Sequence, residues 1–199
     1  AQSLRLCDAK WQDTRQWAFG FVRDHFGPEE LTPPLLVAIA DSVRADVMAF
    51  GRELITRFFD DEHGAEYLLK LAEHPAAGLQ LYASNFLERF AAGNLEHLQQ
   101  LEPYFISVLS RVNQGRVAKT RVLGFLEAEA KKSSEAAELV ARIFARQSVT
   151  IAIGDKAKLI EGLLALHTEH PEVSVPITVK ALPVRGGGSD AERGGADAL

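Results

Sequence analysis

Three ten-residue blocks recur without gaps along the first half of the chain, and no other feature narrows the choice of folds so far. Asp13–Val22, Asp46–Ile55 and Gly78–Leu87 superpose at offsets of 33 and 32 residues. Four places into each block comes an aromatic (Trp17, Phe50, Tyr82), followed by a small residue (Ala18, Gly51, Ala83). Three and four places further lie apolar pairs: Phe21/Val22, Leu54/Ile55 and Phe86/Leu87. The preceding segment repeats as well, Leu35–Asp41 aligning with Tyr67–Glu73 at the same 32-residue offset. A fixed period of this size marks an array of small units, each burying its apolar face only against its neighbours.

Within each unit the apolar residues fall at i, i+3, i+4 and i+7, the helical period rather than the alternation of strands. Each unit is therefore read as two helices, a first (A) and a second (B). Two weaker copies follow, with B helices expected near Arg116–Ala130 and Asp155–His167. In the fourth, Val122, Phe125 and Leu126 keep the pattern while Arg121 stands in the aromatic place. In the fifth, Leu159, Ile160, Leu163 and Leu164 fit throughout. Gly27-Pro28, His74-Pro75, Gly93-Asn94 and His170-Pro171 supply the stops. Thr32 before Pro33 reads as a helix start, as does Ser133-Ser134 with acids in the next turn. The expected core is Trp17, Phe21, Leu36, Ile39, Phe50, Leu54, Leu68, Leu71, Tyr82, Phe86, Leu126 and Leu163.

Paired helices at this period resemble the HEAT/armadillo class of α-solenoids over roughly residues 8–171. The resemblance implies an all-α fold of about five stacked antiparallel helix pairs, and no particular activity. The helical repeat domain is placed at 1–171. Glu172–Lys180 alternates like a strand interrupted by Pro176, so 172–185 reads as an extended arm. The Gly-rich 186–199 has the composition of a flexible tail.

Composition removes several function classes. The 199 residues are 47% hydrophobic and 25% charged, with net charge −5, the balance of an ordinary globular protein. No apolar run approaches the roughly 20 residues of a membrane helix. The single cysteine, Cys7, cannot form an internal disulfide, which favours a reducing, cytoplasmic setting. The first residues hold neither an initiator Met nor the apolar stretch of a signal peptide, and read as a cut from a longer chain. Charge is uneven: residues 1–110 carry a balance of −7, 111–158 of +5 and 159–199 of −3.

Little catalytic chemistry is legible. His167 and His170 lie three apart near a helix end without a locatable third metal ligand. His63, among Asp60, Asp61 and Glu62, reads as a solvated turn. Cys7, Ser84 and Ser110 lack the setting of a nucleophile, and Gly186–Gly188 lacks the lysine of a phosphate loop. No catalytic residue, metal site or cofactor is expected.

Two surfaces remain. Opposite the core, the B helices carry Gln16, Arg23, Arg52, Thr56, Ser84, Asn85, Glu88, Thr120 and Glu127, a mixed stripe suited to a protein or a neighbouring domain. Arg23, Arg52, Asn85 and Glu88 are its expected contact residues. The alternative is an anion, above all nucleic acid, held by Arg111, Arg116, Lys119 and Arg121. Cations at a helix start oppose the macrodipole and need compensation. An internal ion-pair ladder, with Glu88, Glu96 and Glu102 next door, is favoured over a bound anion. The leading function is thus a non-catalytic protein-interaction scaffold, with a nucleic-acid-binding domain using 111–158 as the alternative.

Overall fold

The computed structural model describes residues 5–112, 115–149 and 153–176. Helix is the regular structure throughout them, with no strand among the described residues. In chain order these are α1 Gln12–His25, α2 Pro33–Ala40, α3 Ala45–Phe58, α4 Gly64–Glu73, α5 Ala77–Ala83 and α6 Leu87–Ala91. There follow α7 Leu95–Gln100, α8 Glu102–Leu109, α9 Arg116–Ala130, α10 Ser134–Ser148 and α11 Ile153–Glu169. No described helix is long and apolar enough to cross a membrane.

Local chemistry sets the boundaries. Thr32 precedes α2 in extended conformation with Pro33 at the first helical position; its carbonyl accepts from Leu35 and Leu36, while its hydroxyl makes no cap. Ser133 does cap, its hydroxyl accepting from the Ala136 N–H at 3.2 Å. Asn94 caps α7 through the His97 N–H at 3.1 Å, after Gly93 turns the chain at φ 72°.

Helices pack in sequence order. Helix α2 lies on α3 and α4, α4 on α5 and α8, α8 on α9 and α10, and α10 on α9 and α11. The small-residue column explains how closely they approach: a Cβ at Gly51 would run into the backbone of Ile39 and Ala40 on α2. Side-chain rungs then tie each helix to the one roughly 30–40 residues on. Between α1 and α3, Arg15 pairs with Asp46 at 2.7 Å, Phe19 stacks on Phe50 at 4.3 Å, and Arg23 grips Glu53 through two 2.7 Å bonds. Tyr82 of α5 donates to the Arg52 carbonyl at 2.7 Å, and Arg89 of α6 reaches the Phe59 carbonyl. Arg121 of α9 meets Asn85, and Glu129 meets the Gly93 N–H. Lys119 meets Asp155, and Lys131 meets Glu169 of α11. Residue numbers rise together in every pair, so α1, α3, α5–α6, α9 and α11 run parallel to one another. Between α8 and α10, Glu102 pairs with Arg142, and Ser110 bonds Gln147.

The expected core is observed for Leu36, Ile39, Phe50, Leu54, Leu68, Leu71, Phe86, Leu126 and Leu163, all buried. Phe21 and Tyr82 are half-buried, and Trp17 is a correction: it stands 60% exposed. The equivalent column on α3 faces α1, and among the described residues no α-helix precedes α1, which instead buries Arg15, Ala18, Phe19 and Val22. The third B helix also departs from a continuous reading. It tightens to a 3₁₀ turn at Ser84–Phe86, where the Ser84 hydroxyl donates back to the Leu81 carbonyl at 2.7 Å.

Beyond α11, Val173 is buried and Val175 packs on the core. No strand occurs over 172–176; the rest of the expected 172–185 arm, and the 186–199 tail, lie outside the described residues.

The α1–α3 rungs make a pH prediction. The Arg15 hydrogen bond holds the Asp46 carboxyl below its ordinary range, and the Arg23 hydrogen bond does the same for Glu53. Folded pKa values below the unfolded ones mean a stabilisation fully present above the ordinary carboxylate range and lost as pH falls through the lowered values. Melting temperature should therefore drop between about pH 5 and 3, and Asp46→Asn with Glu53→Gln should flatten that slope. An unchanged slope in thermal melts of the double variant would assign the acid sensitivity elsewhere.

Candidate interaction groove

Two adjoining cavities open along the parallel set of helices, one on each side of α9. The first, about 750 Å³, lies between the Ser84–Phe86 turn with α6 and the length of α9 from Thr120 onward. Its walls carry Ser84, Asn85 and Glu88 on one side and Thr120, Arg121 and Phe125 on the other, with Glu129 and Lys132 at its far end. The second, about 480 Å³, lies between α9 and α11 and is bordered by Glu127, Lys131, Lys158, Glu161 and Glu169. Thr120 and Gly124 line both. Gly124 meets nothing where a Cβ would stand, so the surface of α9 between the cavities is low.

The 3₁₀ turn shapes this groove. It rotates Asn85 outward while Ser84 and Phe86 stay buried, which aims the Asn85 amide at α9. There the Arg121 guanidinium donates to Asn85 Oδ1 at 2.7 Å and to Ser84 Oγ at 3.2 Å. Glu88, one turn on, is exposed and free of a protein partner among the described residues. Glu129, almost fully buried, accepts from the Gly93 N–H at 2.8 Å and from Lys132 Nζ at 2.6 Å. Sequence reasoning passed over Glu129, although its i,i+3 spacing to Lys132 was a signal.

The expected stripe therefore divides. Asn85 and Glu88 lie in the groove, with Thr120 and Glu127. Arg23 is committed to Glu53 and covers the Phe50 ring at 5.0 Å. Arg52 lies 5.3 Å over Tyr82, its Nε buried without a hydrogen-bond partner among the described residues. Both make contacts between helices, and Arg23 keeps 39% of its side chain accessible.

The expected anion cluster is dispersed in the same way. Arg111 donates to the Ala72 carbonyl, Lys119 is 5% exposed and paired with Asp155 at 2.8 Å, and Arg121 serves Asn85. Only Arg116 of the four stands exposed with no partner among the described residues. One ion pair, Lys119–Asp155, is formed by these four cations among the described residues, and its acid is none of Glu88, Glu96 and Glu102.

Burial pushes the Cys7 thiol up, opposite to the shift that activates a nucleophile. Burial likewise raises the phenol of Tyr104, whose hydroxyl has no partner among the described residues. Among the described residues no group of three or more His, Cys, Asp or Glu could hold a metal ion. His63 sits 3.1 Å from Asp60, and His170 3.3 Å from Glu172. No family model matches the chain, and no curated protein or solved structure matches it.

Proposed function

We propose that the chain is a HEAT-like α-solenoid acting as a non-catalytic scaffold, and that it docks a protein or a neighbouring domain in the groove flanking α9. The rungs at 30–40-residue separations, all joining parallel helices, are what a stack of helix pairs produces. The observation that carries the functional reading is the groove itself: two open, mixed-polarity cavities continuous across Thr120 and Gly124. A stack of repeats gives long surfaces of this kind for extended partners, and balanced polarity suits a polypeptide better than a phosphate backbone. Within it Glu88 supplies an unpaired carboxylate, and Asn85 and Thr120 supply hydrogen-bonding groups at the bend. The alternative, nucleic acid, has three of its four expected cations already occupied by internal partners.

The test is a binding experiment with a partner captured on the wild-type chain and then purified. Glu88→Lys together with Asn85→Ala should weaken that complex about tenfold or more, while melting temperature stays within a degree or two, because both side chains are exposed. Arg116→Glu should leave the complex intact. Loss of binding on Arg116→Glu alone, with affinity for an oligonucleotide that falls steeply with salt, would transfer the function to an anionic ligand.

A further inference from the structure

Helix α1 repeats, unpaired among the described residues, a contact that the chain makes inside itself. Asp46 and Phe50, four residues apart on α3, are covered by α1: Asp46 by Arg15 at 2.7 Å, and Phe50 by Phe19 at 4.3 Å and the Arg23 guanidinium at 5.0 Å. The same column on α5 is Tyr82, again beneath an arginine, Arg52 at 5.3 Å. Asp13 and Trp17 occupy those two positions on α1, at the 33-residue offset of the repeat. Both are exposed, and Asp13 has no partner among the described residues.

Trp17 is not an isolated surface aromatic. It stacks on Phe21 at 5.3 Å, and Phe21 makes an edge contact with Phe26 at 6.1 Å. Phe26 in turn borders a largely apolar cavity of about 750 Å³ that Leu35, Ile39 and Val43 also line. Val43 is fully exposed. A chain of ring contacts thus runs from Trp17 through Phe21 to Phe26 and the cavity beside α2, and Asp13 and Asp24 lie at helical spacing on the Trp17 face of α1. Contiguous exposed apolar surface with a charged rim marks an interaction site.

We propose that the Asp13–Trp17 face of α1 is a second docking surface, and that its occupant is a partner helix carrying Arg-x3-Φ-x3-Arg, where Φ is an aromatic or large aliphatic residue. The pattern is that of Arg15, Phe19 and Arg23, the residues that already cover the identical Asp-x3-aromatic column on α3. One arginine pairs with Asp13, the apolar residue lies against Trp17, and the second guanidinium sits over the indole face, the strongest aromatic acceptor of a cation. The proposal rests on the repeat register and is independent of the groove beside α9.

A suitable probe is a stapled helical peptide of residues 10–27 with Trp11 and Trp17 replaced by alanine. It is titrated into the full chain carrying Trp11→Phe, so that Trp17 is the only indole. Before addition, acrylamide should quench Trp17 as an exposed indole. Saturable addition should shift its emission to the blue and reduce quenching at least twofold. Asp13→Arg in the chain should weaken the probe about tenfold, and an Arg15→Asp probe should recover that loss. Trp17→Ala should abolish binding, read by anisotropy of a labelled probe, with the helical circular dichroism spectrum unchanged.

Four results would overturn the proposal. Trp17 protected before any addition would mean another segment of this chain covers it. Sedimentation as a dimer that Trp17→Ala dissociates would make the occupant a second copy. A red shift on addition would mean the probe displaces α1 rather than docking on it. No saturable change, or no recovery in the charge swap, would remove the argument from the repeated column.

Discussion

Replacing Phe50 by alanine is expected to cost about 3–5 kcal/mol, the range for truncating a buried phenylalanine. Phe50 is 2% exposed, stacks on Phe19 and lies beneath the Arg23 guanidinium, between the Arg15–Asp46 and Arg23–Glu53 rungs. Its loss opens a void where α1 meets α3 and removes a cation–π contact worth about 0.5–1 kcal/mol, since the Arg23 guanidinium is partly in water. For a body of this size, melting should fall by roughly 6–20 °C. Phe50→Leu, which keeps most of the volume, should cost under about 1.5 kcal/mol. Trp17→Ala, at the same place in the repeat, should change stability by no more than about 0.5 kcal/mol. Urea denaturation of the three variants checks the set. A Phe50→Ala protein melting within a degree or two of wild type would dissolve the correspondence between the two columns.

That contrast also locates what the sequence could and could not say. Periodicity placed α9 and the buried Leu54, Leu68, Leu71 and Leu126, because helix formation and burial depend on spacing along one element. Trp17 was misread as core because its motif describes an interface column, and burial of such a column depends on whether a helix precedes it in space. The 3₁₀ turn at Ser84 carries one back-bonding hydroxyl, a feature too local to disturb the apolar period. The groove was half legible. Asn85 and Glu88 were expected on one surface and Arg121 on a rival one, yet the structure brings all three into one cavity. Which helix faces α5–α6 sets that neighbourhood, a long-range relation that spacing within one helix does not encode. Arg23 and Arg52 show the converse: on the polar side by helical spacing, they are drawn onto the rings of the next helix by cation–π attraction.

The Lys119–Asp155 pair should respond asymmetrically to removal of its two partners. Lys119 Nζ lies 2.8 Å from Asp155 Oδ2, with the lysine side chain 6% and the aspartate 32% accessible. Asp155→Ala strands an ammonium inside the α9–α11 contact. Breaking a buried pair in this way costs about 3–5 kcal/mol, and water reaching the vacated aspartate position sets the expectation at about 3. It also removes an acid from the first turn of α11, where it complements the helix dipole. Lys119→Met keeps the buried stem and leaves the charge on the partner that solvent can reach, so its cost should stay below about 1.5 kcal/mol. Adding Lys119→Met to Asp155→Ala should then recover most of the loss, since the stranded charge is gone. The urea midpoints of the two single variants and the double variant, compared at equal m-value, measure the coupling. If Lys119 were instead held for an external anion, Lys119→Met would be the stabilising change and Asp155→Ala the mild one, so the order of the two midpoints separates a structural lysine from a binding one.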